Sequence, residues 1–203
     1  EELRSNVVGA QLGSDAIETS IKAGIIGLLI VFVFMCIVYR VPGFAASIAL
    51  LIYTGLVLVL INAFDITLTL PGIAGIILGI GMAVDANVII FARVGEEIAA
   101  DISVRGALKT GFQKALSAIV DGNITTLIAA FVLGLKGSGS VKGFAQTLAL
   151  GIIVSMFTAL VITKILVFAL YAVGIKDKKF YAKGKVFDKV FFFLLLIILN
   201  IVF

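Results

Sequence analysis

Apolar runs close to the length that crosses a lipid bilayer dominate this chain. A bilayer core about 30 Å thick takes about 20 helical residues to cross. Five such runs are separated by short polar or charged links, at about residues 23–39, 44–61, 70–91, 116–135 and 144–173. Hydrophobic residues make up 62% of the 203, and 14% are charged, whereas soluble domains are about 25% charged. The sequence therefore predicts an all-α integral membrane protein, a polytopic bundle of five transmembrane helices.

The polar segments divide the chain into four predicted regions. Residues 1–20 are mixed and polar and are predicted to end an extracytoplasmic region, and residues 21–175 form the transmembrane bundle. Residues 176–189 are a basic linker, and residues 190–203 begin a sixth apolar segment of only 14 residues. With no initiating Met and an apolar end, we expect the chain to be a fragment.

Basic residues predict which links face the cytoplasm, because cytoplasmic loops of membrane proteins are enriched in Lys and Arg. Four Lys and Arg residues fall in one set of links, and ten fall in the other set: Arg40, Arg93, Arg105, Lys109, Lys114, Lys176, Lys178, Lys179, Lys183 and Lys185. The ten-residue side is predicted to be cytoplasmic.

One cytoplasmic link has the pattern of an amphipathic helix. In "SVRGALKTGFQKALSAI", Val104, Leu108, Phe112 and Ala115 recur at three-to-four spacing, which suits a helix lying in the membrane interface. An ordinary connecting helix fits the same pattern equally well.

Asp85 lies deep in the third apolar run, within "GIGMAVDANVIIF". A carboxylate in hydrocarbon costs about 2.5–3.5 kcal/mol on insertion scales, so it must face protein or water, and its default interpretation is functional. A proton- or ion-handling role is favoured over a buried structural hydrogen bond. Asn87 projects about 200° away around the same helix, so both faces of the helix are expected to meet protein.

Glycines mark the same run as a packing helix. Gly72, Gly75 and Gly79 trace one stripe, and Gly81 lies one turn before Asp85. Small residues allow membrane helices to approach closely where the hydrophobic effect cannot drive them together. The third run is therefore predicted to occupy the centre of the bundle.

A second Asp-x-Asn triplet occurs in the fourth run, within "IVDGNITTLI". Asp121 and Thr125 share one helical face, and Asn123 and Thr126 another. Asp121 lies only about five residues inside the run, so an interfacial or structural carboxylate is the favoured interpretation for it.

The sequence argues against several classes of function. Histidine is absent, no nucleophile–base pair or metal-ligand spacing occurs, and the glycine-rich stretches are apolar helix. No enzyme activity, metal or cofactor is expected, and the net charge of +4 reflects the basic loops and does not indicate nucleic acid.

Two long motifs carry a resemblance to a known family. The stretches "LTLPGIAGIILGIGMAVDANVIIFARVGEE" and "DGNITTLIAAFVLGLKGSGSVKGFAQTLALGIIVSMFTALVITK" closely resemble the SecD family of protein-export membrane proteins, in the resistance–nodulation–division superfamily. The resemblance covers about residues 7–173, and the tail "VFDKVFFFLLLIILNIVF" is similar to the start of the first SecF span.

The resemblance implies a function and a set of partners. It implies use of the proton-motive force for late preprotein translocation in the bacterial inner membrane, with the essential aspartate at Asp85 and its neighbouring amide at Asn87. It also implies association with SecF, separate or fused, the SecYEG translocon, unfolded preprotein and membrane lipid, with YajC and YidC as further candidates. Asp121 and Asn123 match the fourth-span motif, while Ala92 and Gly122 stand where the family usually has Glu and Ala.

Two alternatives remain at this point. A drug or lipid exporter of the same superfamily would share the charged central helix. A passive scaffold for assembling translocon and insertase would need Asp85 only as a structural group.

Overall fold

The computed structural model describes the backbone of residues 2–175 and 177–181, with side chains from residue 17 onward. Every regular element in this part of the chain is helical. The elements are α1 (Glu2–Ala63), α2 (Leu70–Ala99), α3 (Val104–Lys136), α4 (Ser140–Phe157), a π-helical segment (Thr158–Thr163), α5 (Lys164–Ala172) and the short α6 (Lys178–Tyr181). The predicted sixth apolar segment, 190–203, lies outside the described residues.

Four helical stretches among the described residues are long and apolar enough to cross a membrane: Ile17–Ala63, Leu70–Ala99, Val104–Lys136 and Ser140–Ala172. This membrane-type helical architecture agrees with the predicted fold class. The first stretch is 47 residues long, because it contains both the first and the second predicted span.

A kink at Arg40 divides α1 into two arms that fold back on each other. Arg40 has φ 51° and ψ −116°, outside the helical region. The Cys36 sulfur and the Ser47 hydroxyl lie 3.8 Å apart, whereas eleven residues of straight helix would separate them by about 16 Å. A Cβ at Gly43 would collide with the carbonyl oxygen of Met35, so this tight return requires glycine.

The predicted boundary between the cytoplasmic helix and the fourth span does not exist. One continuous helix, α3, runs through both over 33 residues. The apolar face predicted from Val104, Leu108, Phe112 and Ala115 is correct, but all four side chains are buried in the protein core. A Cβ at Gly111 would lie 2.5 Å from Val94 Cγ2, so this part of α3 packs closely against the end of α2.

Local sequence explains where α2 and α3 begin. The Thr69 hydroxyl accepts a hydrogen bond from the Gly72 amide at 3.1 Å, with Pro71 in the first turn. The Ser103 hydroxyl accepts one from the Gly106 amide at 3.3 Å. Both are N-caps of the kind that satisfies an unpaired amide of the first turn.

Contacts between the links place them at two opposite ends of the bundle. The Arg40 side chain reaches Lys179, and Lys178 reaches Asp101 in the α2–α3 turn; we call this the basic end. At the other end, the Thr69 hydroxyl donates to the Ser140 carbonyl at 3.4 Å. The links that the basic-residue pattern assigned to one side therefore lie together at one end of the bundle.

Candidate functional site

The α2 helix lies at the centre of the bundle and contacts α1, α3 and α4. It runs parallel to α4, since Gly72 lies beside Gly143 and Thr147 near the start of both helices and Gly79 lies beside Gly151 further along. The predicted central position of this helix agrees with these contacts.

Three of the four predicted packing glycines form the contact surface between α2 and α4. A Cβ at Gly75 would lie 2.5 Å from Thr147 Oγ1 and 3.2 Å from the Phe144 carbonyl oxygen. A Cβ at Gly79 would meet the Tyr53 hydroxyl and would lie 3.5 Å from Gly151 Cα, and one at Gly72 would lie 3.5 Å from Thr147 Cγ2. The close approach predicted for this stripe is therefore present.

Gly81 differs from the other three glycines. A Cβ at Gly81 would meet no atom within 4 Å among the described residues. Gly81 borders a groove of about 230 Å³ between α2 and the first arm of α1, where Gly24 and Gly27 also lie. Its predicted packing role finds no support in the described part of the chain.

Asp85 and Asn87 point to different surroundings, as their angular separation predicts. Asn87 is buried, and its Nδ2 donates to the Ala83 carbonyl at 3.0 Å. Its Oδ1 has no hydrogen-bond partner among the described residues. Asp85, in contrast, is exposed at the surface of the described chain, so its side chain is not enclosed by α1, α3 or α4.

Asp85 lines a cavity of about 170 Å³ between α2 and α3. The lining residues are apolar, small or uncharged apart from Asp85: Met82, Asp85, Ala86, Ile89, Ala118, Ile119, Gly122, Asn123 and Thr126. Ala118 and Gly122 leave room opposite the carboxylate because their side chains are small or absent. The cavity is therefore a small half-open space with one ionisable group.

The two Asp-x-Asn triplets contribute unequally to this cavity. Asn123 lines it, is buried, and donates through Nδ2 to the Ile119 carbonyl at 2.8 Å, the same i−4 bond that Asn87 makes. Asp121 and Thr125 are exposed and are not among the lining residues. The Thr125 hydroxyl donates to the Asp121 carbonyl at 3.0 Å, so the two share one face of α3, as predicted, but that face lies outside the cavity.

Residues on α1 and α4 that sequence reasoning did not single out complete the packing beneath the site. Tyr53 is fully buried, and its hydroxyl lies next to both Gly79 and Gly151. Gly143 and Gly151 form the α4 side of the glycine contact. Their spacing of eight residues, about two helical turns, was a readable signal, whereas nothing in the sequence tied Tyr53 to this layer.

A charged contact between α2 and α3 lies near the basic end. The Lys114 ammonium donates to Glu97 Oε1 at 2.5 Å. Glu97 is buried, while the Lys114 side chain is 57% exposed. This pair joins the last turn of α2 to the first third of α3, the two helices that line the Asp85 cavity.

Together, the long apolar helices, the glycine contact and the cavity beside Asp85 define a helical protein of the membrane type with one carboxylate on its central helix. Comparison with known proteins then gives the family. The family model described as protein export membrane protein SecD/SecF, C-terminal, matches residues 1–173. The chain belongs to this SecD/SecF family.

Relatives and a solved structure agree with this assignment. The protein translocase subunit SecD of Acidaminococcus fermentans is 53% identical over 170 residues, covering 84% of this chain and 41% of the relative. SecD of Rickettsia prowazekii is 52% identical over 160 residues, covering 79% and 31%. The crystal structure of SecDF, a translocon-associated membrane protein from Thermus thermophilus, superposes with a TM-score of 0.78 at 41% identity, covering 81% of this chain and 23% of that one. The chain thus spans less than half the length of these relatives.

Proposed function

We propose that this chain is the membrane part of a protein translocase subunit that couples proton movement to late preprotein translocation. The single observation that carries the proposal is Asp85, an exposed carboxylate on the central helix beside a cavity of about 170 Å³. Ionisable groups at membrane depth mark ion pathways and proton relays. Asp85 takes and releases the proton, and no covalent bond of a substrate is made or broken.

The energy available per proton is sufficient for such coupling. Moving one charge through 100 mV provides about 2.3 kcal/mol. Asn87 and the glycine contact with α4 hold α2 in its switching geometry, since the buried amide and the close backbone approach restrict how α2 can shift. A few protons then support a change of helix packing in the bundle.

A second membrane subunit covers the Asp85 face. Asp85 and the neighbouring Gly122 are exposed in the described chain, and hydrocarbon cannot solvate a carboxylate. A homologous half that brings its own polar face against α2 and α3 gives this carboxylate polar surroundings. We propose SecF for this half, and the SecD/SecF family model and the SecDF neighbour support this choice.

The topology that accompanies this function is five spans in the bacterial inner membrane. The two arms of α1 are the first two spans, because the Cys36–Ser47 contact shows that the chain reverses between them. The α2 and α3 helices and the α4–α5 unit supply the other three, and the basic end faces the cytoplasm. At the basic end, the first turns of α3 take the place of the separate amphipathic helix that the sequence predicts.

Family membership supports a proposal for the remaining partners. We propose that the complete protein works beside the SecYEG translocon, with YajC and YidC as neighbours, on unfolded preprotein. Membrane lipid covers the apolar side chains of the first α1 arm, of which Ile25, Leu29 and Ile30 are each more than half exposed.

Proton uptake into vesicles tests the proposal. The native protein, assembled with its partner half, is expected to admit protons when a gradient is applied, and Asp85→Asn is expected to abolish this uptake. Asp65→Asn is the matched control, because Asp65 is an exposed acid in the α1–α2 loop. Uptake that persists unchanged in Asp85→Asn would leave the scaffold alternative as the better account.

A further inference from the structure

A short segment after the last long helix connects two turns of the basic end that are distant in sequence. The segment is residues 177–181, which we call the strap. Lys178 Nζ donates to Asp101 Oδ1 at 2.5 Å and to the Asp101 carbonyl at 3.2 Å. The Arg40 guanidinium donates to the Lys179 carbonyl at 2.7 Å. The strap thus contacts both the kink of α1 and the α2–α3 turn.

Both contacts involve unusual turn residues. Arg40 and Asp101 have φ of 51° and 64°, values that residues other than glycine rarely adopt. The chain turns sharply at both positions. The Lys178 side chain binds Asp101, and the Lys179 carbonyl accepts a hydrogen bond from Arg40. The strap therefore contacts one positive-φ residue in each of the two turns.

One aromatic ring anchors the strap in the protein core. Tyr181 is 3% exposed and belongs to the same apolar cluster as Tyr39 of α1 and Val94 of α2. The neighbouring Phe180 is 48% exposed. The Tyr181 hydroxyl has no hydrogen-bond partner among the described residues, so the ring, and not the hydroxyl, makes the attachment.

The relative strength of these contacts follows from their exposure. An exposed ion pair such as Lys178–Asp101 adds little on its own, because water and salt screen it. Burial of an aromatic ring contributes more. The attachment of the strap therefore depends mainly on Tyr181, while the two polar contacts fix its position.

We propose that the strap fastens the kink of α1 to the α2–α3 turn at the basic end, so that the helix carrying Asp85 moves as one unit with the chain that continues beyond Tyr181. The attachment itself is independent of the proton mechanism. Only its consequence, that a shift of α2 is passed to the following segment, rests on the proposed function.

Limited trypsin digestion of the full chain in inside-out membranes tests the attachment, because cleavage after Lys178 or Lys179 requires the strap to open. Tyr181→Ala is expected to raise the cleavage rate roughly tenfold or more, since cleavage follows the population of the open form. Tyr181→Phe and Phe180→Ala are expected to leave the rate at the native value. Phe180→Ala is the stringent control, because it is the closer of the two to the cleaved bonds.

A second variant keeps the test decisive if Tyr181→Ala disturbs the whole bundle. Asp101→Asn leaves every strap residue intact and is expected to raise cleavage about two- to threefold, as suits a weak surface pair. Native cleavage rates in both Tyr181→Ala and Asp101→Asn would overturn the proposal. Asp85→Asn is expected to be cleaved at the native rate, so failure of the proton mechanism and failure of the strap give different results.

Discussion

Asp85 and Asn87 show how two polar residues in one apolar run are given different environments. Asn87 is buried, and its side-chain amide donates a hydrogen bond to the Ala83 carbonyl of its own helix. Asp85 opens towards α3 and is exposed. A protonatable group needs access to water or a partner, whereas an amide inside the bundle can stay buried. This division suits the proposed exchange of protons at Asp85, with Asn87 as its buried neighbour on the same helix.

Gly79 lies where three helices meet, and its substitution tests the packing beneath the site. Gly79→Ala is expected to lower stability by about 1–3 kcal/mol, the usual range for overpacking, because the new methyl group would collide with the Tyr53 hydroxyl. Thermal unfolding in detergent measures the effect. Gly81→Ala, which meets no described atom within 4 Å, is expected to leave the melting temperature unchanged or to raise it slightly, because alanine has the higher helix propensity.

The same collision can be relieved from the other side. The Tyr53 hydroxyl has no hydrogen-bond partner among the described residues, so Tyr53→Phe removes the obstacle without breaking a bond. Gly79→Ala combined with Tyr53→Phe is expected to recover most of the lost stability. Equal losses in the single and double variants would show that the cost arises elsewhere.

Residue patterns predicted these environments only in part. The 200° separation of Asp85 and Asn87 and the glycine stripe follow from helical periodicity, so they could be read from the sequence. The side of α2 that the other helices cover could not be read from the sequence, because it depends on how α3 and α4 pack. For the same reason the sequence predicts a packing role for Gly81, although Gly81 borders an open groove.

The α2–α3 pair is the element that forms the Asp85 cavity, and the Glu97–Lys114 contact joins its two helices at 2.5 Å. Lys114→Met is expected to destabilise the protein by about 1–3 kcal/mol, because a buried carboxylate then loses its partner. Chemical unfolding in detergent checks this. Arg93→Met is the matched control, since both side chains of the Arg93–Glu96 pair are largely exposed, and it is expected to change stability by less than about 0.5 kcal/mol.

The strap should respond to acid through Asp101. The hydrogen bond from Lys178 and then its positive charge lower the pKa of the Asp101 carboxyl below its ordinary value. A lowered pKa means that this contact stabilises the folded form above the ordinary pKa of aspartate and is lost as the pH falls through the folded pKa. Spin labels at positions 105 and 180 are expected to report a wider distance distribution at that acidic pH.

Asp101→Asn is the control for this titration. The variant has no carboxyl to protonate at this position, so its label distances are expected to be broader at neutral pH and independent of pH. A native protein whose label distances at neutral pH are as broad as those of Asp101→Asn would contradict the role given to Asp101.

Element boundaries were less predictable than element types. The charges in residues 93–116 predict a link that contains a separate helix. In the structure, α2 continues to Ala99, and α3 begins at Val104 and runs on into the fourth span. Charged residues can extend a membrane helix beyond the bilayer, and composition alone does not mark where such a helix stops. The kink at Arg40, in contrast, follows from "YRVPG", where Pro and Gly stop a helix and form the turn.

The orientation of the whole bundle can be tested with two cysteines. Ser138 lies in the α3–α4 turn, and Ser103 begins α3 at the basic end. In a Cys36→Ser background, a cysteine at Ser138 is expected to react with an impermeant thiol reagent added outside cells, and one at Ser103 is expected to react only after permeabilisation. The reverse pattern would invert the proposed topology and place the basic end outside.

The central claim is that Asp85 drives export by exchanging protons, and export itself tests it most directly. Preprotein translocation into inside-out vesicles is to be measured with and without a proton gradient, for the native protein and for Asp85→Asn, each with its partner half. Asn keeps the volume of the side chain but cannot ionise. Asp121→Asn serves as the comparison, because Asp121 does not line the cavity.

The account predicts that Asp85→Asn inserts normally and supports gradient-independent translocation but loses the stimulation by the gradient, while Asp121→Asn keeps most of it. Asp85→Glu, which retains the charge one methylene further out, is expected to keep part of the stimulation. Full gradient-driven export by Asp85→Asn would contradict the account, because Asp85 would then act only as a structural hydrogen-bonding group.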